Sequence, residues 1–172
     1  LCLATGTTPI GLYKNLVKAY KKGSISFKRV KTVNLDEYVG LGEGDEQSYV
    51  TFMRENLFNH VDIDLNNTRL PNGKAVDLQK ECDNYNAYLD SLKVDVQVLG
   101  IGSNGHIGFN EPNTPFGSVT HIVDLTENTI KDNSRLFNSI DEVPKQALSM
   151  GIKNIMQAKL LLLVASGKNK AD

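Results

Sequence analysis

Short aliphatic runs alternate with amphipathic helical patterns along this chain, and this alternation constrains the fold more than any single motif. Apolar residues cluster at positions 1–4, 29–35, 94–99 and 160–165, in stretches of strand length. Between them, residues 10–20 and 78–92 repeat apolar side chains every three or four positions, which is typical of helices packed on a core. Strands alternating with helices predict an α/β fold, with an open, mainly parallel sheet that carries helices on both faces.

Weaker patterns supply the remaining elements. They predict helices at residues 47–60, 126–137 and 144–150, a strand at 121–125, and burial of the strand at 160–165. A length of 172 residues suits a single α/β domain with its own core, residues 1–172. Leu1 already lies in a strand-like run and residues 168–172 begin a helical pattern, so we expect a partial chain, truncated at both ends.

Charge and cysteine content exclude several classes of function. Nineteen Lys and Arg stand against 20 Asp and Glu, for a net charge of −1, so no basic excess would attract nucleic acid or an anionic membrane. The longest aliphatic run is far too short to cross a bilayer. Cys2 and Cys82 form neither a metal nor a redox spacing and suit small buried side chains in a reduced compartment. We expect a cytoplasmic protein without nucleic-acid or membrane partners.

Polar residues follow four of the apolar runs at the point where each run ends. They are Thr5 to Thr7, Asp36 with Glu37, Asn104 to His106, and Ser166 to Lys168. The carboxyl ends of parallel strands meet at one edge of the sheet, and ligands of open α/β sheets bind there. The sequence therefore predicts a functional site at this edge.

Two interpretations of the segment after the third strand remain open at this point. Gly100, Gly102 and Gly105 satisfy G-x-G-x-x-G, the dinucleotide-binding fingerprint. That fingerprint requires a helix to begin directly after the glycines, because the pyrophosphate lies at its N-terminus. Residues 107–117 contain two prolines, two glycines and two asparagines, a composition that disfavours a helix. The alternative is an acid/base loop, and the composition favours it.

The candidate chemical groups fit that alternative. Asp36 can act as a general base if apolar neighbours raise its proton affinity, whereas Glu37 suits a solvated acidic turn. His106 lies between glycines and near Glu111, a carboxylate that could orient its ring for proton transfer. No ligand spacing supports a metal site.

The turn at residues 5–9 suits either a phosphate cradle or an ordinary capped helix, with Thr8 as N-cap and Pro9 as first helical residue.

Four blocks of sequence together resemble a known family. They are Thr5-Gly6-Thr7-Thr8-Pro9, Asn34-Leu35-Asp36-Glu37-Tyr38-Val39-Gly40, Gly105-His106-Ile107-Gly108-Phe109-Asn110-Glu111-Pro112 and Asn133-Ser134-Arg135. In this order they resemble the glucosamine-6-phosphate deaminase (glucosamine-6-phosphate isomerase) family, over residues 1–172. The sister group, 6-phosphogluconolactonase, shares the fold but typically carries different motifs at the second and third blocks. The resemblance implies a Rossmann-like open sheet of the type common to both groups.

The resemblance also implies an activity, the conversion of glucosamine 6-phosphate and water to fructose 6-phosphate and ammonia in amino-sugar catabolism. By analogy, Asp36 moves a proton from C2 to C1, His106 opens the pyranose ring, and Asn104 and Glu111 complete the catalytic group. The family's phosphate-binding positions correspond to Thr5, Gly6, Thr7, Thr8, Arg135 and Lys170, with Lys168 as a further cation. The resemblance implies no metal or organic cofactor, leaves a homo-oligomer open, and makes residues 120–143 a lid-like segment by position.

This chain departs from the family at particular residues. Asn104 occupies a position where many relatives carry Asp, so we expect activity with an altered pH profile. His121 and Val123 replace basic residues that, in allosterically activated relatives, help to bind N-acetylglucosamine 6-phosphate, which argues against such activation. The amide at 104 and the truncated ends leave one other class open, a catalytically silent domain that binds sugar phosphate.

Overall fold

Eight strands and five α-helices make up the parts of the chain that the computed structural model describes, residues 1–102, 104–134 and 137–167. The strands are β1 Cys2–Leu3, β2 Thr32–Asn34, β3 Asp36–Tyr38, β4 Thr68–Arg69, β5 Val96–Leu99, β6 His121–Asp124, β7 Gln146–Ser149 and β8 Leu160–Leu163. The helices are α1 Ile10–Lys21, α2 Tyr49–Asn56, α3 Leu78–Asp90, α4 Glu127–Asn133 and α5 Ile152–Met156. Short 3₁₀ turns lie at Phe58–His60, Leu65–Asn67 and Ile140–Glu142.

The larger sheet is parallel and has the strand order β4-β2-β1-β5-β8. From β1 the chain first builds the sheet toward β2 and β4, and then returns to add β5 and β8 on the other side of β1. The strand order therefore reverses between β1 and β5. In open α/β sheets the ligand-binding crevice lies at this switch point, outside the carboxyl ends of the strands. The mainly parallel sheet predicted from the sequence is confirmed.

A second sheet, antiparallel, has the strand order β3-β7-β6. The chain passes from the first sheet to the second within one residue, because Asn34 ends β2 and Asp36 begins β3. The intervening Leu35 is bonded to both sides: its N–H donates to the Leu3 carbonyl (3.2 Å), and its carbonyl accepts from the Met150 N–H (2.7 Å). Asp36 is thereby fixed at the junction of the two sheets.

Tyr85 of α3 replaces a missing strand neighbour at the end of β2. Strand β4 pairs with β2 no further than Arg69, opposite Val33. Beyond that point the buried Tyr85 hydroxyl accepts from the Asn34 N–H (3.2 Å) and donates to the Asn34 carbonyl (2.7 Å). Buried backbone groups need hydrogen-bond partners, and one phenol supplies both here, next to the start of β3.

The main core packs α1, α2 and α3 against the parallel sheet. Its largest fully buried apolar side chains include Tyr13, Tyr85, Leu3, Met53 and Leu57. A smaller cluster surrounds Tyr38, which packs on Tyr49, Phe109 and Phe137 with ring-centroid distances of 4.9, 5.7 and 6.2 Å. This second cluster lies on β3, beside the junction that holds Asp36.

Two predictions of local structure are wrong. Residues 144–150 were predicted as a helix, but Gln146–Ser149 forms β7, the central strand of the antiparallel sheet. Pairing with the distant strands β3 and β6 outweighs the weak local preference of this short segment. The run at 160–165 was predicted to be buried, yet all four leucines of β8 are 36–58% exposed. This strand lies at the sheet edge and, in the described part of the chain, pairs with β5 alone.

Tyr85→Phe should lower the free energy of unfolding by about 1–3 kcal/mol, since it leaves the N–H and carbonyl of Asn34 buried without partners. Urea denaturation measures the change. Tyr88→Phe is the matched control on the same helix. Tyr88 is half-buried, and its ring centroid lies 4.4 Å from the Arg69 guanidinium, a contact that a Phe ring keeps. Equal losses in the two variants would contradict the assigned role of the Tyr85 hydroxyl.

Candidate active site

Asp36 is a buried carboxyl group at the edge where ligands of such sheets bind. It is 6% exposed, and its side chain accepts no hydrogen bond from any described residue. Burial, together with the negative charge of Glu37, raises the pKa of Asp36 to about 8. A carboxyl group whose proton affinity lies near neutral pH is suited to accept and return a proton. This environment agrees with the general-base role predicted for Asp36.

A chain of hydrogen bonds joins the three polar residues of the glycine-rich loop. Asn104 Nδ2 donates to Glu111 Oε2 (2.7 Å), and Asn104 Oδ1 lies 2.7 Å from His106 Nδ1. The same Oδ1 accepts from the His106 N–H at 3.2 Å. The structure thus brings Asn104, His106 and Glu111 together, with the amide between the ring and the carboxylate.

These contacts determine which nitrogen of His106 carries the proton. An ionised carboxylate only accepts hydrogen bonds, so the NH₂ end of Asn104 must face Glu111 and the oxygen must face His106. An amide oxygen cannot donate, so His106 Nδ1 is the protonated nitrogen. The neutral ring therefore has its lone pair at Nε2, which is free to accept a proton from a bound molecule.

Glycines in this loop leave space for the ring and for the base. A Cβ atom on Gly102 would overlap both nitrogens of the His106 ring. Gly105 has a φ of +88° and Gly108 a φ of +60°, a region that favours glycine. A Cβ on Gly108 would also lie 3.3 Å from Asp36 Oδ2, so this glycine brings the loop backbone close to the base. Residues 107–120 form no helix, so the helix that a dinucleotide fingerprint requires is absent from this described segment.

Ser149 and Asn110 hold the loop against the strand that carries Asp36. Ser149 pairs directly with Asp36 across β7 and β3, and its Oγ accepts from the Phe109 N–H (3.2 Å). Asn110 is 3% exposed and donates from Nδ2 to the carbonyls of Ile107 (2.9 Å) and Met150 (2.7 Å). The loop with the histidine and the strand with the base are therefore one connected unit.

The candidate phosphate turn follows β1, beside the strand that leads to Asp36. Thr5 and Thr8 are half-buried, whereas Gly6 and Thr7 are exposed, and Gly6 has a φ of +83°. The N-cap prediction is off by one residue: the Pro9 carbonyl accepts the first helical bond, from Tyr13 N (3.0 Å), so Pro9 is the N-cap and Thr8 precedes it. No side chain caps α1, which leaves the Thr8 hydroxyl without that role.

Three predicted phosphate-binding cations, Arg135, Lys168 and Lys170, lie outside the described residues. Within the described ranges, no group of three or more His, Cys, Asp or Glu side chains is arranged to hold a metal ion. Nor does any helix there have the length and apolarity needed to cross a membrane.

The prediction for Glu37 is wrong. It was expected in a solvated turn, but it is 0% exposed and accepts hydrogen bonds from three backbone N–H groups. Ser149 and Tyr49 were not identified from sequence either, because each meets the site through an element remote in the chain. Tyr49 is half-buried with its hydroxyl against the side chains of Tyr38 and Thr5, and so connects the base strand to the phosphate turn.

An open parallel sheet with a buried carboxyl group and an oriented imidazole at its switch point defines an α/β enzyme of the acid–base type. The chain belongs to the family of glucosamine-6-phosphate isomerases and 6-phosphogluconolactonases, whose family model matches residues 1–172.

Individual relatives agree with this assignment. The chain is 56% identical to the glucosamine-6-phosphate deaminase of Clostridium novyi and 57% identical to that of Lachnoclostridium phytofermentans; both alignments cover 100% of this chain and 72% or 73% of the relative. A solved monomeric glucosamine-6-phosphate deaminase superposes with a TM-score of 0.96 at 50% identity, over 99% of this chain and 71% of that one. The 6-phosphogluconolactonase of Thermotoga maritima, at 19% identity and a TM-score of 0.74 over 99% of this chain and 71% of its own, shares the fold.

Gly102→Ala should displace the His106 ring and break its contact with Asn104, because the added methyl group would occupy the position of the imidazole. We expect the preference for the Nδ1-protonated tautomer to be lost, as measured by ¹⁵N shifts of the ring at neutral pH. Gly100→Ala is the matched control, since a Cβ atom at that position would meet nothing within 4 Å. An unchanged ring spectrum in Gly102→Ala would contradict the proposed packing.

Asp36→Asn should stabilise the protein at alkaline pH. Because burial raises the pKa of Asp36 to about 8, the native state keeps a proton that the unfolded state releases near pH 4. The free energy of unfolding should therefore fall as pH rises from about 4 to 8, and the substitution should remove that fall. We expect the variant to gain at least about 1 kcal/mol more at pH 9 than at pH 5. Urea denaturation at pH 5 and pH 9 measures the free energy of unfolding, with Asp90→Asn at an exposed position as control. Parallel curves of this free energy against pH for Asp36→Asn and the unsubstituted protein would contradict the raised pKa of Asp36.

Proposed function

We propose that this chain converts glucosamine 6-phosphate and water to fructose 6-phosphate and ammonia, by aldose-ketose isomerisation with deamination. The observation that carries the proposal is the buried carboxyl group of Asp36, which has a raised pKa and lies next to the loop that holds His106. The relatives named glucosamine-6-phosphate deaminase support it, since they match the whole of this chain at 56–57% identity.

Asp36 is the general base of the proposed reaction. In the open-chain sugar, the C2 proton passes to the Asp36 carboxylate while a C1–C2 double bond forms and O1 takes a proton from the substrate's own ammonium group at C2, which gives an enediol-type intermediate. Return of the proton to C1 leaves an imine at C2, and water then adds to that carbon and displaces ammonia. Desolvation favours such transfers, because a carboxylate without hydrogen-bond donors holds a proton more strongly than one in water.

His106 opens the pyranose ring before the isomerisation. Its free Nε2 accepts the proton of the anomeric hydroxyl and delivers it to the ring oxygen, while Nδ1 stays bonded to Asn104. The bridge from Asn104 to Glu111 keeps the ring oriented. This oriented ring favours an active enzyme over a silent sugar-phosphate-binding domain, since the amide at 104 preserves the connection between imidazole and carboxylate.

The substrate phosphate is anchored at Thr5, Gly6, Thr7 and Thr8, with Arg135 and Lys170 as cationic partners. The start of α1, where the N-cap residue Pro9 provides no capping side chain, supports this position for a dianion. The reaction transfers protons and exchanges ammonia for water, without net oxidation, so it needs no redox cofactor.

Residues 120–143 form the proposed lid over this site. The two ends of the segment are anchored, because the Thr120 N–H donates to Asn86 Oδ1 (2.9 Å) and Val143 is buried. Between them, Phe137 packs on Tyr38, two residues beyond the base. Two free, buried cysteines support a reducing, cytoplasmic location.

Asp36→Asn should lower kcat for ammonia release by at least about 10²-fold, because it removes the general base. A coupled assay for ammonia and fructose 6-phosphate measures it, and the exposed Asp90→Asn should keep the activity of the unsubstituted protein. Binding of glucosamine 6-phosphate without ammonia release by the unsubstituted protein would instead identify a sugar-phosphate-binding domain. Near-normal turnover by Asp36→Asn would exclude the base assignment.

A further inference from the structure

Glu37 is a fully buried carboxyl group that takes no part in the proposed proton transfers. Its Oε1 accepts from the N–H groups of Tyr38 (2.9 Å) and Tyr49 (3.0 Å), and its Oε2 accepts from the Val50 N–H (3.1 Å). Tyr49 and Val50 are the first two residues of α2, and their N–H groups have no partner within the helix. One carboxyl group therefore joins strand β3 to the N-terminus of α2.

This contact differs in kind from the ordinary cap of the same helix. Ser48 is the N-cap, and its Oγ accepts from the Thr51 N–H (3.1 Å). The helix would therefore keep a cap if Glu37 were absent. Negative charge is favourable at a helix N-terminus, which helps to keep Glu37 ionised even though burial raises its pKa to about 7.

Glu37 also differs from the other titratable groups that face Asp36. Those groups are Cys2 of β1, Tyr38 of β3, Tyr49 of α2 and Tyr85 of α3, and burial raises the pKa of each, so that all four are neutral at physiological pH. Asp45, in the loop before α2, acts on Glu37 but is paired with Lys74 at 2.6 Å. Among the described residues, Glu37 alone places a negative charge where it acts on the base.

We propose that Glu37 is the positioning residue of Asp36: it fixes the base strand to the first turn of α2 and places a negative charge beside the base from within the protein interior. Successive strand residues face opposite sides of β3, so Glu37 does not meet the substrate from this position. It acts through the backbone that it anchors and through the low-dielectric interior. The proposal deepens the proposed function and rests on it.

Four single substitutions separate charge from anchoring. Glu37→Gln removes the charge and keeps one acceptor oxygen for the N–H groups of Tyr38 and Tyr49, but it presents an NH₂ group to the Val50 N–H. Glu37→Asp keeps the charge and is too short to bond Tyr49 and Val50 as Glu37 does. Ser48→Ala weakens the same helix terminus without touching Glu37. Glu43→Gln removes a nearby acid that is 70% exposed and paired with Arg54. The measurements are kcat/KM against pH and thermal unfolding for each variant.

The acidic limb of the kcat/KM profile should move to lower pH by roughly half to one unit in Glu37→Gln, because a like charge next to Asp36 is lost. Glu37→Asp should shift that limb much less while its kcat falls several-fold. Ser48→Ala should lower the unfolding temperature with no displacement of the limb, and Glu43→Gln should change neither. A limb in Glu37→Gln that coincides with that of Ser48→Ala would overturn the proposal, since Glu37 would then be purely structural.

A second readout does not depend on turnover. The extra alkaline stability gained from Asp36→Asn should be smaller in the presence of Glu37→Gln than in its absence. Without the charge of Glu37, ionised Asp36 would experience less repulsion and would destabilise the native state less. If the unsubstituted protein releases no ammonia, the proposed function fails, and this double-substitution comparison still decides the electrostatic role of Glu37. Equal gains in both backgrounds would overturn that role.

Discussion

The position of Asp36, the proposed base, depends on a one-residue passage between two sheets. Leu35 donates its N–H to β1 and accepts at its carbonyl from Met150, so neither backbone group is free to move with either sheet alone. Asp36 follows directly and is buried at the junction, where no described residue donates a hydrogen bond to its carboxyl group. Most buried carboxylates in proteins are paired or hydrogen-bonded. At this junction Asp36 is buried without such a partner among the described residues, and the resulting high proton affinity is what the proposed reaction requires.

The glycine-rich loop shows how one sequence pattern can satisfy a motif for reasons unrelated to that motif. Gly102 provides space for an imidazole, Gly105 adopts a positive φ, and nothing constrains Gly100 sterically. None of these reasons involves a pyrophosphate. Ser149 and Asn110 then attach the loop to the base strand, so the loop is positioned by its packing as much as by its own backbone.

Sequence reasoning succeeded where the information is local. The helical periodicity of α1 and α3 and the apolar runs of β1, β2 and β5 sufficed for the parallel sheet, and the motifs around Asp36 and His106 supplied the residues of the proposed site. It failed where contacts with residues remote in the sequence determine the local structure. β7 was taken for a helix because its pairing with β3 spans more than a hundred residues, and Glu37 was taken for a surface residue because its three donors include two from α2. Aliphatic composition identified β8 as a strand but could not indicate what covers it.

The amide at position 104 has a consequence for the path of the proton. Asn104 holds the ring through Oδ1 and the carboxylate through Nδ2, yet an amide neither takes up nor releases protons near neutral pH. Glu111 is joined to the histidine through Asn104, but it cannot accept a proton from the histidine by that route. An imidazolium formed at Nε2 can discharge only through Nε2. In the proposed reaction, the proton that His106 takes from one sugar oxygen is therefore the one that it gives to the next.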